Sequence, residues 1–253
     1  MSDYLRSTRS VYYAIVAALP LLAAYELLLM AAGTGNGWQV RNAGDVWLRV
    51  LLASLEVRPA HATLAMILVL LLALPMVRRR DTPLRAPYLA LLLGEAFAYS
   101  LVLGLLINII LQFIFTAIPS AILSRALIPA ALLFDPWPLQ LGPLQAGTAQ
   151  GLALSLGAGL FEEFIFRVLL LGGLLFGTRL VLPHHLGTVV AIVLAALLFS
   201  AAHYVGPLAD RFTFLSFLFR FVAGLLFTGL YYLRGFAVTA YAHAFYDIRV
   251  ILF

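Results

Sequence analysis

Cysteine is absent from this chain, and so is lysine: all sixteen basic residues are arginine. The lack of cysteine removes disulfides, thiolate metal sites and cysteine nucleophiles together. Charge of either sign is scarce, at 11% of 253 residues, where a soluble domain usually holds about a quarter. The net charge of +5 does not imply nucleic-acid binding. No basic stripe with interleaved aromatics is present, and membrane proteins carry excess arginine for topological reasons. Internal repeats, low-complexity tracts and a soluble domain are missing as well. Arginine-only usage beside abundant alanine and leucine fits a GC-rich bacterial genome, and with it a bacterial inner membrane.

What remains is apolar. Hydrophobic residues make up 64% of the chain, and the mean hydropathy is +1.03. A globule of this size cannot hide that much apolar surface from water, so the natural solvent is lipid. The expected fold is an all-α, polytopic transmembrane helical bundle of about seven spans, with six to eight as the range. The predicted crossings are 11–32, 63–77, 88–115, 148–176, 188–204, 212–233 and 236–253, most of them near the roughly twenty residues that a bilayer requires. The first holds Pro20 and Glu26 and is longer than a signal-peptide core, so it reads as a retained span. Between residues 42 and 57, Asp45, Arg49 and Glu56 form a narrow charged stripe beside Leu48, Leu51, Leu52 and Leu55. This pattern predicts a helix lying on the membrane surface. Five prolines between 119 and 143 interrupt the next stretch, and residues 121–134 read as an interfacial or re-entrant piece, or as an eighth crossing. Two regions follow: N-terminal spans with the interfacial helix at 1–147, and a C-terminal membrane core at 148–253. With seven spans, Arg6, Arg9 and Arg78–Arg80 share a side, which places the N-terminus in the cytoplasm.

An ionisable side chain at mid-bilayer depth costs about 2.5–3.5 kcal/mol on insertion scales, so each one is a functional hypothesis. Here they gather in the C-terminal half: Glu162, Glu163, Arg167, His203, Arg220, His243, Asp247 and Arg249. The N-terminal half offers only Glu26 and Glu95 at comparable depth. Glu163 and Arg167 stand four apart and share a helix face, so they can form an ion pair. The plainer reading of that pair is a salt bridge tying helices together. It leaves out Glu162, rotated by about 100° from its neighbour. His203 sits at the end of one span, where a hydrogen-bonded interfacial role is the plain alternative. His243 and Asp247, four apart on the last span, can satisfy each other. His184 and His185 follow Pro183 and read as a solvated loop. Gly147 and Gly151, then Gly157 and Gly159, provide the small-residue spacing that allows close helix approach.

Three motifs now stand in order: Glu162-Glu163-Phe164-Ile165-Phe166-Arg167, Phe199-Ser200-Ala201-Ala202-His203, and His243 through Asp247. Together they resemble the CPBP family, the CAAX proteases and bacteriocin-processing enzymes also called Abi, including its myxosortase-like group. The resemblance covers roughly the last hundred residues. It implies a glutamate-dependent intramembrane endopeptidase that uses no metal and no cofactor. By position, Glu162 and His203 would activate the attacking water, and His243 and Asp247 would stabilise the oxyanion. Glu163 and Arg167 would orient the first helix. The implied partners are the bilayer and a membrane-anchored protein or peptide substrate.

The residue types suit that chemistry. Peptide hydrolysis needs a base for water and donors aimed at the developing negative charge. Asp247 is the odd member, because an ionised carboxylate cannot donate. Three rival readings compete. A zinc protease lacks its H-E-x-x-H helix here. A non-catalytic immunity or scaffold protein has no reason to bear the insertion cost of these groups. A proton-coupled transporter typically shows repeated halves with broken helices, whereas these charges are largely confined to one half.

Overall fold

The structure, a computed structural model, describes residues 2–33, 40–78, 84–117, 148–206 and 209–252. Among these residues every regular element is helical. A short α1 (Ser2–Thr8) leads into α2 (Val11–Ala32), whose start is fixed by the Ser10 hydroxyl accepting the Tyr13 N–H. Next come α3 (Ala43–Ser54) and a 3₁₀ turn (Pro59–His61) that runs into α4 (Ala62–Val77). The long α5 (Ala86–Ala117) and α6 (Thr148–Val181) follow, then α7 (His184–Ala202), α8 (Phe214–Arg234) and α9 (Phe236–Leu252). Among the described residues, six helices are long and apolar enough to cross a bilayer: α2, α4 with its lead-in turn, α5, α6, α7 and α8. The protein is thus an integral membrane helical bundle. The seventh predicted span, α9, is shorter at 17 residues and carries His243, Asp247 and Arg249. The piece predicted at 121–134, and with it the eighth crossing, lies outside the described residues.

The chain divides into two compact units. The first is built from Met1–Ser100, Ala146–Leu169 and Leu230–Phe253, and the second from Leu101–Gln145 and Leu170–Gly229. In the first unit, α2, the opening half of α6, and α9 close around Leu22, Tyr25, Leu29, Ala153, Phe161, Ala240 and Ala244. Small residues let these backbones approach. A Cβ added at Gly159 would collide with the Ala240 carbonyl oxygen and lie 2.8 Å from the Ala244 methyl. Without a hydrophobic drive between helices in lipid, such close packing is what holds them. Glu95 on α5 is tied down in this unit: it accepts from Arg234, at the end of α8, and from Tyr4 on α1. Arg234 also donates to the Thr8 hydroxyl at 3.1 Å. Gly235 stands between α8 and α9 at φ +77, a left-handed conformation that suits glycine at a helix C-terminus.

In the second unit, α7 packs on the last stretch of α6. The Thr178 hydroxyl donates to the Gly187 carbonyl at 2.8 Å, and a Cβ at Gly187 would lie 3.2 Å from the Thr178 backbone, a tight contact. The Ser200 hydroxyl donates to the Phe217 carbonyl at 2.7 Å, linking α7 to α8. Arg220 on α8 binds Asp210, Ser216 and Tyr204. His184 and His185 form the first turn of α7 instead of a loop, and both are exposed.

The helix predicted near residues 42–57 is present as α3, but its polarity is reversed. Asp45 is fully buried and Arg49 mostly so, while Val50, Leu51 and Leu55 are exposed. Arg49 donates to Asp45 at 2.7 Å and to Glu26 at 2.8 Å. Arg41 bridges the same two acids at 2.8 and 2.9 Å. Burial works against the Arg41 charge, yet its hydrogen bonds to the carboxylates of Glu26 and Asp45 hold the guanidinium above the ordinary range. The charged stripe seeks Glu26 on α2, not water, because a buried carboxylate in a span must find a cation. Glu56 falls outside the stripe, beyond the helix end in a left-handed turn at φ 64.

Candidate active site

The middle of α6 is not an ordinary α-helix. Residues Ala158–Glu162 and Phe164–Leu171 are π-helical, and they flank Glu163. π-Helix is rare and concentrates at functional sites. Its wider turn re-aims neighbouring side chains, and here it does so where two acids stand side by side.

Glu163 is fully buried. Its Oε1 accepts from His243 Nδ1 at 2.6 Å and lies 3.0 Å from Arg167 Nη1. The i,i+4 pairing anticipated from spacing is therefore formed, and the same carboxylate also reaches α9. A carboxylate accepts, so the Nδ1 of His243 carries the proton. The other nitrogen, Nε2, faces Asp247 Oδ2 at 3.6 Å. One imidazole is thus held between two acids from two helices. The close approach of α6 and α9 at Gly159 makes this reach possible.

Glu162 points elsewhere. Its Oε1 accepts from the side-chain amide of Asn42 at 2.8 Å. Asn42 is the N-cap of α3, where its Oδ1 accepts the Gly44 N–H at 2.8 Å. Its own N–H donates to the Tyr25 hydroxyl at 3.1 Å, and Tyr25 donates to Asp45 at 3.0 Å. From Glu162 a continuous polar chain thereby leads to the Glu26–Arg41–Asp45–Arg49 cluster. Thr63 joins that cluster at its far side, 2.7 Å from Glu26.

His203 belongs to the second unit and caps the C-terminus of α7. Its Nδ1 donates to the Phe199 carbonyl at 2.9 Å, and its ring meets Phe199 edge-on, 5.0 Å between centroids. A carbonyl can only accept, so the proton of the neutral ring resides on Nδ1 and the basic nitrogen is Nε2. The backbone carbonyl four residues earlier fixes this tautomer, and the Phe199 ring packed edge-on holds the imidazole in place.

The first unit therefore gathers Glu163, Arg167, His243 and Asp247 into one cluster and sets Glu162 against Asn42. Among the described residues no group of three or more His, Asp or Glu side chains is arranged to hold a metal ion. Two participants were not legible as such in the sequence, Asn42 and Tyr25. An asparagine ahead of an amphipathic helix does signal an N-cap, but nothing local indicates that its amide meets a carboxylate 120 positions away.

Residues 144–249 match the family described as type II CAAX prenyl endopeptidase Rce1-like. The matched stretch contains Glu162, Glu163, Arg167, His203, His243 and Asp247 and leaves out Asn42. No curated protein and no solved structure matches the chain.

Proposed function

We propose that this protein, whose residues 144–249 match the Rce1-like family, is a glutamic-type intramembrane endopeptidase of the CPBP family whose catalytic core is 148–253. Its substrate is a membrane-anchored protein or peptide, and no metal or other cofactor takes part. The observation that carries this reading is the buried hydrogen bond from His243 to Glu163, which joins the first and third motifs of the matched region.

In this mechanism Glu162 and His203 take the proton from the attacking water, and the resulting hydroxide adds to the scissile carbonyl. The proton then passes to the departing amine as the C–N bond breaks. His243 turns Nε2 toward the oxyanion. Its Nδ1–H is already given to Glu163, so donation from Nε2 requires a ring protonated at both nitrogens. Asp247, on the Nε2 side, serves as the counter-ion of that ring instead of as a donor. Glu163 fixes the tautomer of His243, and Arg167 balances the charge of Glu163. Of the substrate classes open to such an enzyme, a C-terminal anchor or a leader peptide, as in the myxosortase-like group, fits a bacterial chain better than a prenylated tail. The N-terminus faces the cytoplasm in this reading, at a bacterial inner membrane.

The test is cleavage in reconstituted vesicles, with membrane proteins from a deletion strain as substrate and new termini counted by mass spectrometry. Glu162→Ala, His203→Ala and His243→Ala should insert normally and generate no new termini, and a chelator should leave the wild type active. Full activity in Glu162→Ala removes the glutamate mechanism. Inactivation by chelator, with rescue by Zn²⁺, makes the protein a zinc protease.

A further inference from the structure

We propose that Asn42 is a positioning residue for Glu162, so that the N-terminal half of the chain supplies part of the site although it lies outside the matched region. The proposal rests on the reading of Glu162 as the base of the peptidase and deepens it.

The amide orientation of Asn42 is dictated by its two partners. The Gly44 N–H can only donate, so it must meet Oδ1, and Nδ2 is left facing Glu162 Oε1 at 2.8 Å. A flipped amide would put oxygen against carboxylate and N–H against N–H. Asn42 itself is buried, 8% exposed, and held from three sides. The Tyr25 hydroxyl takes its backbone N–H, and Tyr25 is braced in turn by Asp45. Just upstream, Gln150 on α6 donates to the Val40 carbonyl at 2.6 Å, fastening the approach to α3 onto the helix that bears Glu162.

Two glycines keep the space open. A Cβ at Gly157, five residues before Glu162, would stand 2.8 Å from the Asn42 Cβ and 2.7 Å from the Tyr25 ring. A Cβ at Gly44 would stand 2.9 Å from the Phe161 Cβ. Both glycines lie where α3 meets the π-helical part of α6, and both would push Asn42 away from Glu162 if enlarged. One Oε of the base is thus fixed by a neutral donor. A neutral amide can hold a carboxylate in place without supplying the positive charge that would blunt its basicity.

The double role of Asn42 makes the proposal separable from mere structural support. Aspartate and serine are as good at the N-cap as asparagine, but neither can donate an amide N–H to Glu162. Asn42→Ser should therefore keep α3 capped and the thermal midpoint near wild type, whereas Asn42→Asp keeps the cap but sets a second carboxylate against Glu162 and should lower the midpoint. Turnover of the deletion-strain membrane proteins should fall by about tenfold to a hundredfold, the loss of one hydrogen bond to a charged group. The loss should fall on kcat and not on KM. A second readout needs no substrate. The infrared carboxylate band that disappears in Glu162→Gln should be displaced in both Asn42 variants. An unmoved band together with wild-type turnover overturns the proposal. So does a loss of activity in Asn42→Ser that its loss of thermal stability fully accounts for. An active Glu162→Gln would instead sink the peptidase mechanism, while the band displacement would still decide whether Asn42 holds Glu162.

Discussion

Glu163 and Arg167 are both almost wholly shielded, and a buried ion pair responds asymmetrically to mutation. Removing one partner leaves an uncompensated charge, at a cost of about 3–5 kcal/mol, whereas replacing both with apolar groups of similar volume is often neutral. Glu163→Gln should therefore lower stability by that order in a detergent unfolding titration, and Glu163→Gln with Arg167→Met should regain most of it. Activity should not return in the double variant, because the glutamine amide is a poorer anchor for the His243 Nδ1–H than a carboxylate. A double variant that recovered turnover along with stability would reduce Glu163 to a packing role. The spacing of Glu163 and Arg167, and of His243 and Asp247, was legible in the sequence because i,i+4 neighbours share a helix face whatever the fold. The hydrogen bond from His243 to Glu163 was not, since it depends on two helices meeting at Gly159. Asn42 was hidden for the same reason, and its partner lies beyond any local pattern.

At the scale of elements, α6 shows how unevenly glycine matters. Gly159 faces the backbone of α9 at less than van der Waals distance for a Cβ, whereas Gly173, farther along the same helix, has nothing within 4 Å. Gly159→Ala should drive α6 and α9 apart, destabilise the protein by about 1–3 kcal/mol as overpacked sites do, and abolish cleavage. Gly173→Ala should be neutral or stabilising by about 0.4–1 kcal/mol, with activity retained. Equal effects at the two positions would show that the close approach at Gly159 is not what holds the site. Helix α3 supplies the opposite lesson about legibility. Its amphipathic period was plain, but which face turns inward was not. Periodicity reports that charges share a side. It does not say that Glu26, on a neighbouring span, is waiting for two arginines. The π-helical turns of α6 also left no trace, because the apolar pattern around Glu162 and Glu163 is compatible with either helix type.

For the molecule as a whole, the helical-bundle class was readable from run length, since lipid forces every backbone polar group into a helix, and six of the seven predicted crossings are long and apolar enough among the described residues. Orientation was readable only as an arginine bias. The absence of cysteine makes the orientation easy to measure. Asp3→Cys, ahead of α2, and Glu56→Cys, after it, should react with membrane-impermeant maleimide from opposite faces, the first only when the cytoplasmic face is open. Labelling of both from one face would contradict the crossing by α2. The Glu95–Arg234 pair joins the N-terminal α1 and α5 to the end of α8 and lies away from the proposed machinery. Glu95→Ala should lower the thermal midpoint while turnover of the folded fraction stays at the wild-type level.

The outward leucines of α3 have a practical corollary. Val50, Leu51 and Leu55 must be wetted by something oily, and the N-cap of the same short helix is Asn42, which donates to Glu162. The surrounding amphiphile thereby becomes a mechanical neighbour of the proposed reaction centre. Specific activities measured in micelles of different chain length should disagree with one another, and the values from thick, native-like lipid are the ones to compare between variants.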